Sequence, residues 1–209
     1  MSDSPCLIYL VRHGATPHNL LAPPRMQGRR INPSLAPLGV KQAELVARAL
    51  KRQPLAAVYA SPLVRAVETA ATIAAPHDLS VVTVEGLTEV EIGQWEDLSW
   101  PEVRQQDPEL YAAFRENPEQ QGYPGGENLA DVAQRMVASI SQIARDHMGE
   151  EVVVVAHSVA NRAYLGELLE VPLAMRRKIP QDNCGISLID CHRDKQRIRT
   201  LNGVVHLEC

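Results

Sequence analysis

The sequence predicts an α/β protein: a three-layer sandwich in which helices flank a mostly parallel central sheet, with an inserted lid segment. Short, continuous apolar runs at 6–11 and 152–156 are typical of strands buried on both faces of a parallel sheet. Amphipathic stretches lie between the apolar runs, and regular alternation of strand and helix favours parallel pairing of the strands.

The first half of the chain predicts three strands and two helices, separated by a proline-rich loop. In chain order they are strand 6–11, loop 16–37, helix 38–51, strand 56–61, helix 63–74 and strand 81–84. The helix over 38–51 is indicated by apolar residues that recur every three or four positions. The first strand ends abruptly at Arg12-His13-Gly14.

A segment of different composition follows the third strand. Positions 86–127 hold both tryptophans, the single phenylalanine, four prolines and a Gly-Tyr-Pro-Gly-Gly turn. We expect an insertion that packs over the sheet as a lid, within a single domain spanning 1–209. The predicted elements after it are helix 128–147, strand 152–156, helix 159–169, strand 186–191 and strand 198–201.

Charge and composition exclude several classes of protein. The net charge of -4 and the pI near 6.0 give no long-range attraction to nucleic acid or to anionic membranes. No apolar run is long enough to span a bilayer, and the short, polar start of the chain does not look like a secretory signal. No two cysteines have C-x-x-C spacing. We therefore expect a cytoplasmic protein without a nucleic-acid or membrane partner.

Charged residues follow three of the predicted strands. Arg12 and His13 follow the first, Arg65 follows the second, and His157 follows the strand at 152–156. These side chains should converge, because ligands of such sheets bind at the carboxyl ends of strands. A neutral imidazole is a competent nucleophile toward phosphorus, and guanidinium groups match the geometry of phosphate oxygens. The sequence thus predicts phosphoryl transfer to His13.

A helix start that binds an anion and a proton donor for the leaving group are also predicted. Ser158 opens a helix directly after His157, so backbone N–H groups there should face an anion. Five acidic residues near the third strand are candidate donors, and residue chemistry alone does not choose among them: Glu85, Glu89, Glu91, Glu96 and Asp97. A suitable acid would be partly buried, with its pKa raised toward neutrality.

Seven motifs occur in order along the chain. They are Leu10-Val-Arg-His-Gly-Ala-Thr16 with Asn19, Gln27-Gly28, Leu38-Gly39-x-x-Gln42-Ala43, Ser61-Pro-Leu-x-Arg65-Ala66-x-x-Thr69-Ala70, Leu87-x-Glu89-x-x-x-Gly93-x-Trp95-Glu96, Gly125-Gly-Glu127, and Val154-Val-Ala-His157 with Arg162. Together they resemble the histidine phosphatase superfamily, the phosphoglycerate-mutase-like proteins, over essentially the whole chain. Arg-His-Gly alone is a weak signal, whereas seven ordered motifs are specific.

The resemblance implies a catalytic set. His13 would form a phosphohistidine, with Arg12, Arg65 and His157 around the phosphate. Glu89 would protonate the leaving group and then activate water. The family needs no metal and no other cofactor.

The resemblance also implies a substrate-binding set. Asn19 and Gln27 match secondary phosphate-binding positions, and Thr16 lies beside them. Ser158, at the helix start, completes this set, although many relatives have glycine there. Arg162 lies one helical turn further on, and we expect it to have a structural role.

Three further departures concern specificity. Asn32 stands where an aspartate is common and Asp97 where a glycine is common, and we expect both to border the substrate entrance. Ile92 stands where the related phosphoserine phosphatases tend to have a histidine. An apolar residue there would suit a bulkier or less polar leaving group.

The favoured function is a metal-independent phosphatase that hydrolyses small phosphate monoesters, such as phosphoserine or another small phosphorylated acid or sugar. A phosphoglycerate-mutase-type phosphoryl transferase is the alternative, but such mutases carry a longer insertion than the 67 residues at 90–156 that separate Glu89 from His157. An inactive binding scaffold would not need the retained catalytic set. The expected partner is a small phosphorylated metabolite, and exposed apolar helix faces are compatible with a homodimer.

Overall fold

Within residues 4–117, 121–193 and 195–208, which the computed structural model describes, six strands form one sheet. They are β1 (Cys6–Arg12), β2 (Leu55–Ala60), β3 (Val81–Thr83), β4 (Glu151–Ala156), β5 (Ile186–Cys191) and β6 (Gln196–Gly203). Their order is β3-β2-β4-β1-β5-β6, with the first four parallel and β5 antiparallel to both its neighbours. The predicted α/β class and mostly parallel sheet are confirmed.

Helices cover both faces of this sheet. In the described ranges they are α1 (Pro17–Leu20), α2 (Pro37–Leu50), α3 (Val64–Ala74), α4 (Trp100–Gln106), α5 (Pro108–Glu116), α6 (Leu129–Asp146) and α7 (Ser158–Leu168). The apolar residues of α2 and α3 form a core on one face, and those of α6 and α7 form a second core on the other. The three layers predicted from the sequence are therefore present.

The central strands β1 and β4 contribute to both cores. In β1, Ile8 and Leu10 point into one core, whereas Tyr9 and Val11 point into the other. Successive side chains of a strand point to opposite faces, so a strand covered on both sides must be apolar at every position. The continuous apolar runs of β1 and β4 are the direct consequence.

The pairing of β1 with β4 determines where the residues after both strands lie. Arg12 is opposite Ala156 in the parallel register, and the N–H of His13 donates to the carbonyl oxygen of Ala156 at 3.0 Å. His13 and His157 therefore leave the sheet side by side at its carboxyl edge.

Two stretches are more regular than the sequence predicts. The proline-rich loop contains the short helix α1, which begins at Pro17, a position where a missing N–H costs nothing. Strand β6 is longer than the predicted 198–201, because backbone pairing with β5 extends along polar residues that give no apolar periodicity.

The segment 86–127 is described except for 118–120, and an aromatic cluster anchors it. Trp95 is fully buried, its ring centre lies 5.4 Å from that of Phe114 and 6.1 Å from that of Tyr123, and its indole N–H donates to Asp107 at 2.8 Å. The buried side chains of this segment, among them Trp95 and Phe114, belong to the same core as those of α6 and α7. The assignments of this segment as a lid and of the chain as a single domain stay predictions.

Several large apolar side chains are exposed on the described surface. They include Leu38 and Val40 on α2, Leu110 on α5 and Val205 near the end of the chain. The expected homodimer stays a prediction. None of the helices in the described ranges combines the length and apolar character that crossing a bilayer requires.

Helix α2 touches the loop that follows His13 through two glycines. A Cβ on Gly14 would lie 2.5 Å from the carbonyl oxygen of Gly39, and a Cβ on Gly39 would collide with the backbone of Ala15. The backbones therefore approach as closely as they do because neither residue has a side chain.

We expect Gly39→Ala to lower the free energy of unfolding by about 1–3 kcal/mol, because the added methyl group overpacks a backbone contact. Activity should fall as well, since Ala15 lies two residues after His13. Urea unfolding measures the first effect and a phosphatase assay the second.

Gly203→Ala is the matched control, because its added Cβ would meet its nearest neighbours at 3.2 and 3.4 Å. A Gly39→Ala protein as stable and active as the control would contradict the contact.

Candidate active site

Side chains from the carboxyl ends of β1 and β4 line one cavity of about 350 Å³. Of the predicted residues, six line it: Arg12, His13, Asn19, Gln27, Glu89 and Ser158. Arg65 and His157 are fully buried, and the rings of His157 and His13 lie 5.1 Å apart between centroids. Thr16 is buried and does not line the cavity.

His13 has one ring nitrogen fixed by a hydrogen bond. Its Nδ1 lies 2.8 Å from the carbonyl oxygen of Gly14, which can only accept a hydrogen bond, so Nδ1 carries the proton. Burial, followed by the positive charges of Arg65 and Arg12, lowers the pKa of His13 well below its ordinary value of 6.5. The ring is therefore neutral, with the lone pair on Nε2.

His157 supplies a second neutral imidazole. Its pKa is also lowered well below 6.5, mainly by burial and then by the charge of Arg65. Neither ring nitrogen has a hydrogen-bond partner among the described residues. A buried imidazole without a partner is costly, and phosphate oxygens are suitable acceptors for its N–H.

The guanidinium groups of Arg12, which is partly buried, and of Arg65, which is fully buried, flank the histidines. Burial, and next the charge of Arg162, lowers the pKa of Arg12 to about 10, and burial also lowers the pKa of Arg65. The Nε of each has no partner among the described residues. Both groups remain charged at neutral pH, so the site concentrates positive charge and unpaired donors where an anion would bind.

Arg65 is held by a loop that Glu96 holds in turn. Arg65 donates to the carbonyl oxygens of Gly28 and Ile31 at 2.9 and 3.2 Å. Glu96 Oε1 accepts from the N–H groups of the same two residues at 3.1 and 2.7 Å. The loop is thus fixed through the backbone N–H and carbonyl groups of Gly28 and Ile31, and Arg65 is held in place by the loop.

Glu89 is the one candidate acid that lines the cavity. Its carboxylate accepts from the N–H groups of Val90, Val159 and Ala160 at 2.9 to 3.1 Å. Two of these donors belong to the first turn of α7, whose positive end favours a carboxylate. Glu89 and His157 are therefore positioned by the same helix start.

The other four candidate acids lie outside the cavity and have other contacts. Glu85 is exposed, Glu91 pairs with Arg30, Glu96 holds the 28–31 loop, and Asp97 pairs with His18 and Arg25. Asn32 also lies outside it and caps α3 by accepting from the N–H of Val64 at 2.9 Å. The expectation that Asn32 and Asp97 border the substrate entrance stays a prediction, and both side chains make structural contacts.

Thr16 connects the two predicted amide ligands. Its hydroxyl lies 2.8 Å from Gln27 Oε1 and 3.1 Å from Asn19 Oδ1, and its N–H donates to Asn19 Oδ1 at 3.0 Å. The oxygen end of each amide is thus occupied. The NH₂ ends of Asn19 and Gln27 remain for an anion in the cavity.

Ser158 and Arg162 form a pair at the cavity wall. Arg162 donates to Ser158 Oγ at 2.7 Å and to the carbonyl oxygen of Ile179 at 2.8 Å. Arg162 also lines the cavity, and its expected structural role stays a prediction.

The sequence did not single out Asn183 as a site residue. Its side-chain NH₂ donates to the carbonyl oxygen of His13 at 2.9 Å and lies 3.3 Å from Asn19 Oδ1. The adjacent N–H of Cys184 donates to the carbonyl oxygen of Arg12 at 2.9 Å. Asn183 lies outside the seven motifs, so no sequence signal pointed to it.

Among the described residues, no three side chains of histidine, cysteine, aspartate or glutamate are grouped so that they could hold a metal ion. The donors of the cavity are instead nitrogen groups that suit an anion.

Comparison with known proteins agrees with this geometry. The model of the histidine phosphatase superfamily (branch 1) matches residues 8–203. Phosphoserine phosphatase 1 of Hydrogenobacter thermophilus is 34% identical over 200 residues, which cover 96% of this chain and 93% of that protein. The metal-independent phosphoserine phosphatase of Arabidopsis thaliana is 34% identical over 203 residues, covering 96% and 82%. The phosphoserine phosphatase of Entamoeba histolytica, solved in complex with 3-phosphoglyceric acid, has a TM-score of 0.85 at 27% identity and covers 97% of this chain and 99% of that one.

The buried histidines predict a pH-dependent stability. The folded protein resists protonation of His13 and His157, while the unfolded chain takes up these protons below pH 6.5, the ordinary pKa. The contribution of this protonation difference to the free energy of unfolding is complete above that pH and is lost as the pH falls. We expect His157→Gln to remove up to about 1.4 kcal/mol per pH unit of this dependence below pH 6.5.

Urea unfolding at a series of pH values measures the slope. His192→Gln, at an exposed position, should retain the slope of the unaltered protein. An equal slope in the His157→Gln protein would show that His157 titrates alike in both states.

Proposed function

The chain belongs to the histidine phosphatase superfamily, branch 1, and we propose that it hydrolyses small phosphate monoesters through a phosphohistidine on His13. One observation carries the proposal most directly. A buried, neutral imidazole presents Nε2 as its free nitrogen, because Nδ1 is bound to the carbonyl of Gly14, and unpaired guanidinium and imidazole nitrogens surround it. Such a site combines a nucleophile with hydrogen-bond donors that stabilise the negative charge of the phosphoryl group under attack.

In the first step, Nε2 of His13 attacks phosphorus and forms the N–P bond while the ester P–O bond breaks. The electron pair of that bond goes to the leaving oxygen, which takes a proton from the carboxyl group of Glu89 and departs as an alcohol. The carbonyl of Gly14 accepts from Nδ1–H throughout and stabilises the positive charge of the phosphorylated ring.

The transferring phosphoryl group is stabilised mainly by electrostatics. Arg12 and Arg65 donate to its oxygens, together with one N–H of His157 and the amide ends of Asn19 and Gln27. Phosphoryl transfer leaves little covalent work to the protein, so fixed positive donors of this kind supply most of the rate enhancement.

In the second step, water attacks the phosphorus of the phosphohistidine. The carboxylate of Glu89 accepts a proton from this water, the N–P bond breaks, and its electron pair returns to Nε2. Phosphate leaves and His13 is neutral again. Glu89 then holds the proton that the next substrate requires, so the cycle is balanced.

The proposed substrate is a small phosphorylated metabolite, and the named relatives make phosphoserine one candidate. We also propose a cytoplasmic location. Its support is that Cys6, Cys184 and Cys191 are buried free thiols, as a reducing compartment allows. Cys209 lies outside the described residues.

The central test is hydrolysis of p-nitrophenyl phosphate and of a metabolite phosphate panel in the presence of EDTA. We expect phosphate release, and we expect His13→Ala to lower kcat by about 10³-fold or more, because the nucleophile is removed. Alkaline quenching followed by peptide mass spectrometry should locate a phosphoryl group on the peptide that contains His13.

His192→Ala is the matched control and should retain full activity. Phosphate exchange between 3- and 2-phosphoglycerate without release would favour the mutase. Absence of turnover on every ester would favour the binding scaffold, and either result would overturn the phosphatase.

Replacement of the acid should depend on the leaving group. Alkoxide departure needs a proton and p-nitrophenolate departure hardly does, so Glu89→Gln should lower kcat/KM for an alkyl phosphate by about 10²–10⁴-fold and for p-nitrophenyl phosphate far less. Initial rates on the two esters measure the difference.

Glu85→Gln, an exposed acid of the same segment, serves as the control and should leave both rates unchanged. Equal losses on both esters in the Glu89→Gln protein would assign Glu89 to binding or structure instead of proton transfer.

A further inference from the structure

We propose that the preferred ester has an apolar or aromatic leaving group that carries a second negative charge and no ammonium group. This inference rests on the proposed phosphatase function and names its substrate class. It comes from the part of the cavity that the phosphate does not occupy.

The charge of the cavity lining is one-sided. Among the described residues, one carboxylate lines it, that of Glu89, and six arginines do: Arg12, Arg25, Arg115, Arg162, Arg176 and Arg177. A phosphate at the floor uses Arg12, together with the buried Arg65. The remaining arginines exceed what a single phosphate requires.

Some of these arginines already have anionic partners. Arg176 pairs with Glu167 at 2.7 Å, and Arg25 pairs with Glu102 at 2.8 Å. Arg115 and Arg177 form no ion pair with a described residue: Arg115 lies 5.9 Å from the ring centre of Tyr111, and Arg177 donates to the carbonyl oxygen of Ala174. These two guanidinium groups retain donors for an anionic ligand.

Exposure places these arginines at the mouth of the cavity and the nucleophile at its floor. Arg115, on α5, and Arg177, on the turn after α7, are both exposed, whereas His13 is 3% exposed. Apolar and aromatic side chains also line the cavity: Ile92 and Phe114 are buried, Leu129, Val159 and Leu173 are half-buried, and Trp100 is exposed. A ligand that reaches from the floor to the mouth therefore contacts phosphate donors, apolar surface and cationic groups.

Among the described residues, no carboxylate other than that of Glu89 lines the cavity as a counter-charge for a substrate ammonium group. The carboxylate of Glu89 is bound by three backbone N–H groups, and its proton is used at the leaving oxygen. An amino-acid phosphate would thus bring its positive charge among arginines. The same acid with a hydroxyl group in place of the ammonium would avoid that repulsion.

The test uses three esters of one shape: 4-(carboxymethyl)phenyl, 4-ethylphenyl and 4-(aminomethyl)phenyl phosphate. Their side-chain carbon separates the charge from the phenol oxygen, which keeps the leaving groups similar. We expect kcat/KM to decrease in that order, with about 5- to 10-fold between the anionic and cationic esters at low salt and less in high salt.

The double variant Arg115→Gln/Arg177→Gln should bring the anionic-to-cationic ratio to about one. Arg48→Gln/Arg52→Gln removes the same charge from the exposed end of α2 and its following turn, and should keep the ratio of the unaltered protein. Thermal unfolding verifies that both variants fold.

A second comparison uses 3-phosphoglycerate and phosphoserine, which differ in a hydroxyl and an ammonium group, and the former should be hydrolysed faster. Hydrolysis of all esters without charge preference, faster turnover of phosphoserine, or a ratio unchanged in the Arg115→Gln/Arg177→Gln protein would overturn this inference and leave the phosphatase intact. Hydrolysis of none would overturn both.

Discussion

The parallel pairing of β1 with β4 is the constraint on which the rest of the site depends. It sets Arg12 opposite Ala156. The residues that follow, His13 and His157, therefore lie side by side, with their ring centroids 5.1 Å apart. The strands are far apart in sequence, and both must be apolar at every position because helices cover both faces. A shift of one residue would turn every side chain of β1 to the other core and separate the two imidazoles.

Placing two buried imidazoles and two arginines together opposes folding, because the positive charges of the arginines repel one another and the polar groups of all four side chains are removed from water. The surrounding contacts hold these groups against that tendency. Glu96 fixes the loop that binds Arg65, Asn183 binds the backbone of His13, and the first turn of α7 binds Glu89. The neutral state of the histidines and the unpaired guanidinium nitrogens are products of the same burial, so the arrangement that lowers stability also prepares the site for an anion.

The cavity combines two kinds of lining: nitrogen donors lie around His13, and apolar side chains and further arginines line the remainder. Ile92 and the aromatic side chains of 86–127 contribute apolar surface. Arg25 and Arg176 have acidic partners, whereas Arg115 and Arg177 form no ion pair with a described residue. A chain with net charge -4 therefore concentrates its positive charge where a phosphorylated substrate enters. Such local focusing, not the overall charge, determines which ligands are attracted.

The sequence by itself determined the alternation of strands and helices, the positions of Arg12, His13 and His157 at strand ends, and the resemblance to the family. These follow from apolar periodicity and from motifs, which are local. Only the tertiary structure showed that Glu89 lines the cavity whereas the other four acids do not, assigned the proton of His13 to Nδ1, and brought Asn183 to the backbone of His13 from 170 positions away. It also showed which structural contacts Asn32 and Asp97 make. Hydrogen-bond partners and the lining of a cavity depend on distances between segments remote in sequence, and the tautomer of His13 depends on the local backbone geometry; residue type encodes neither.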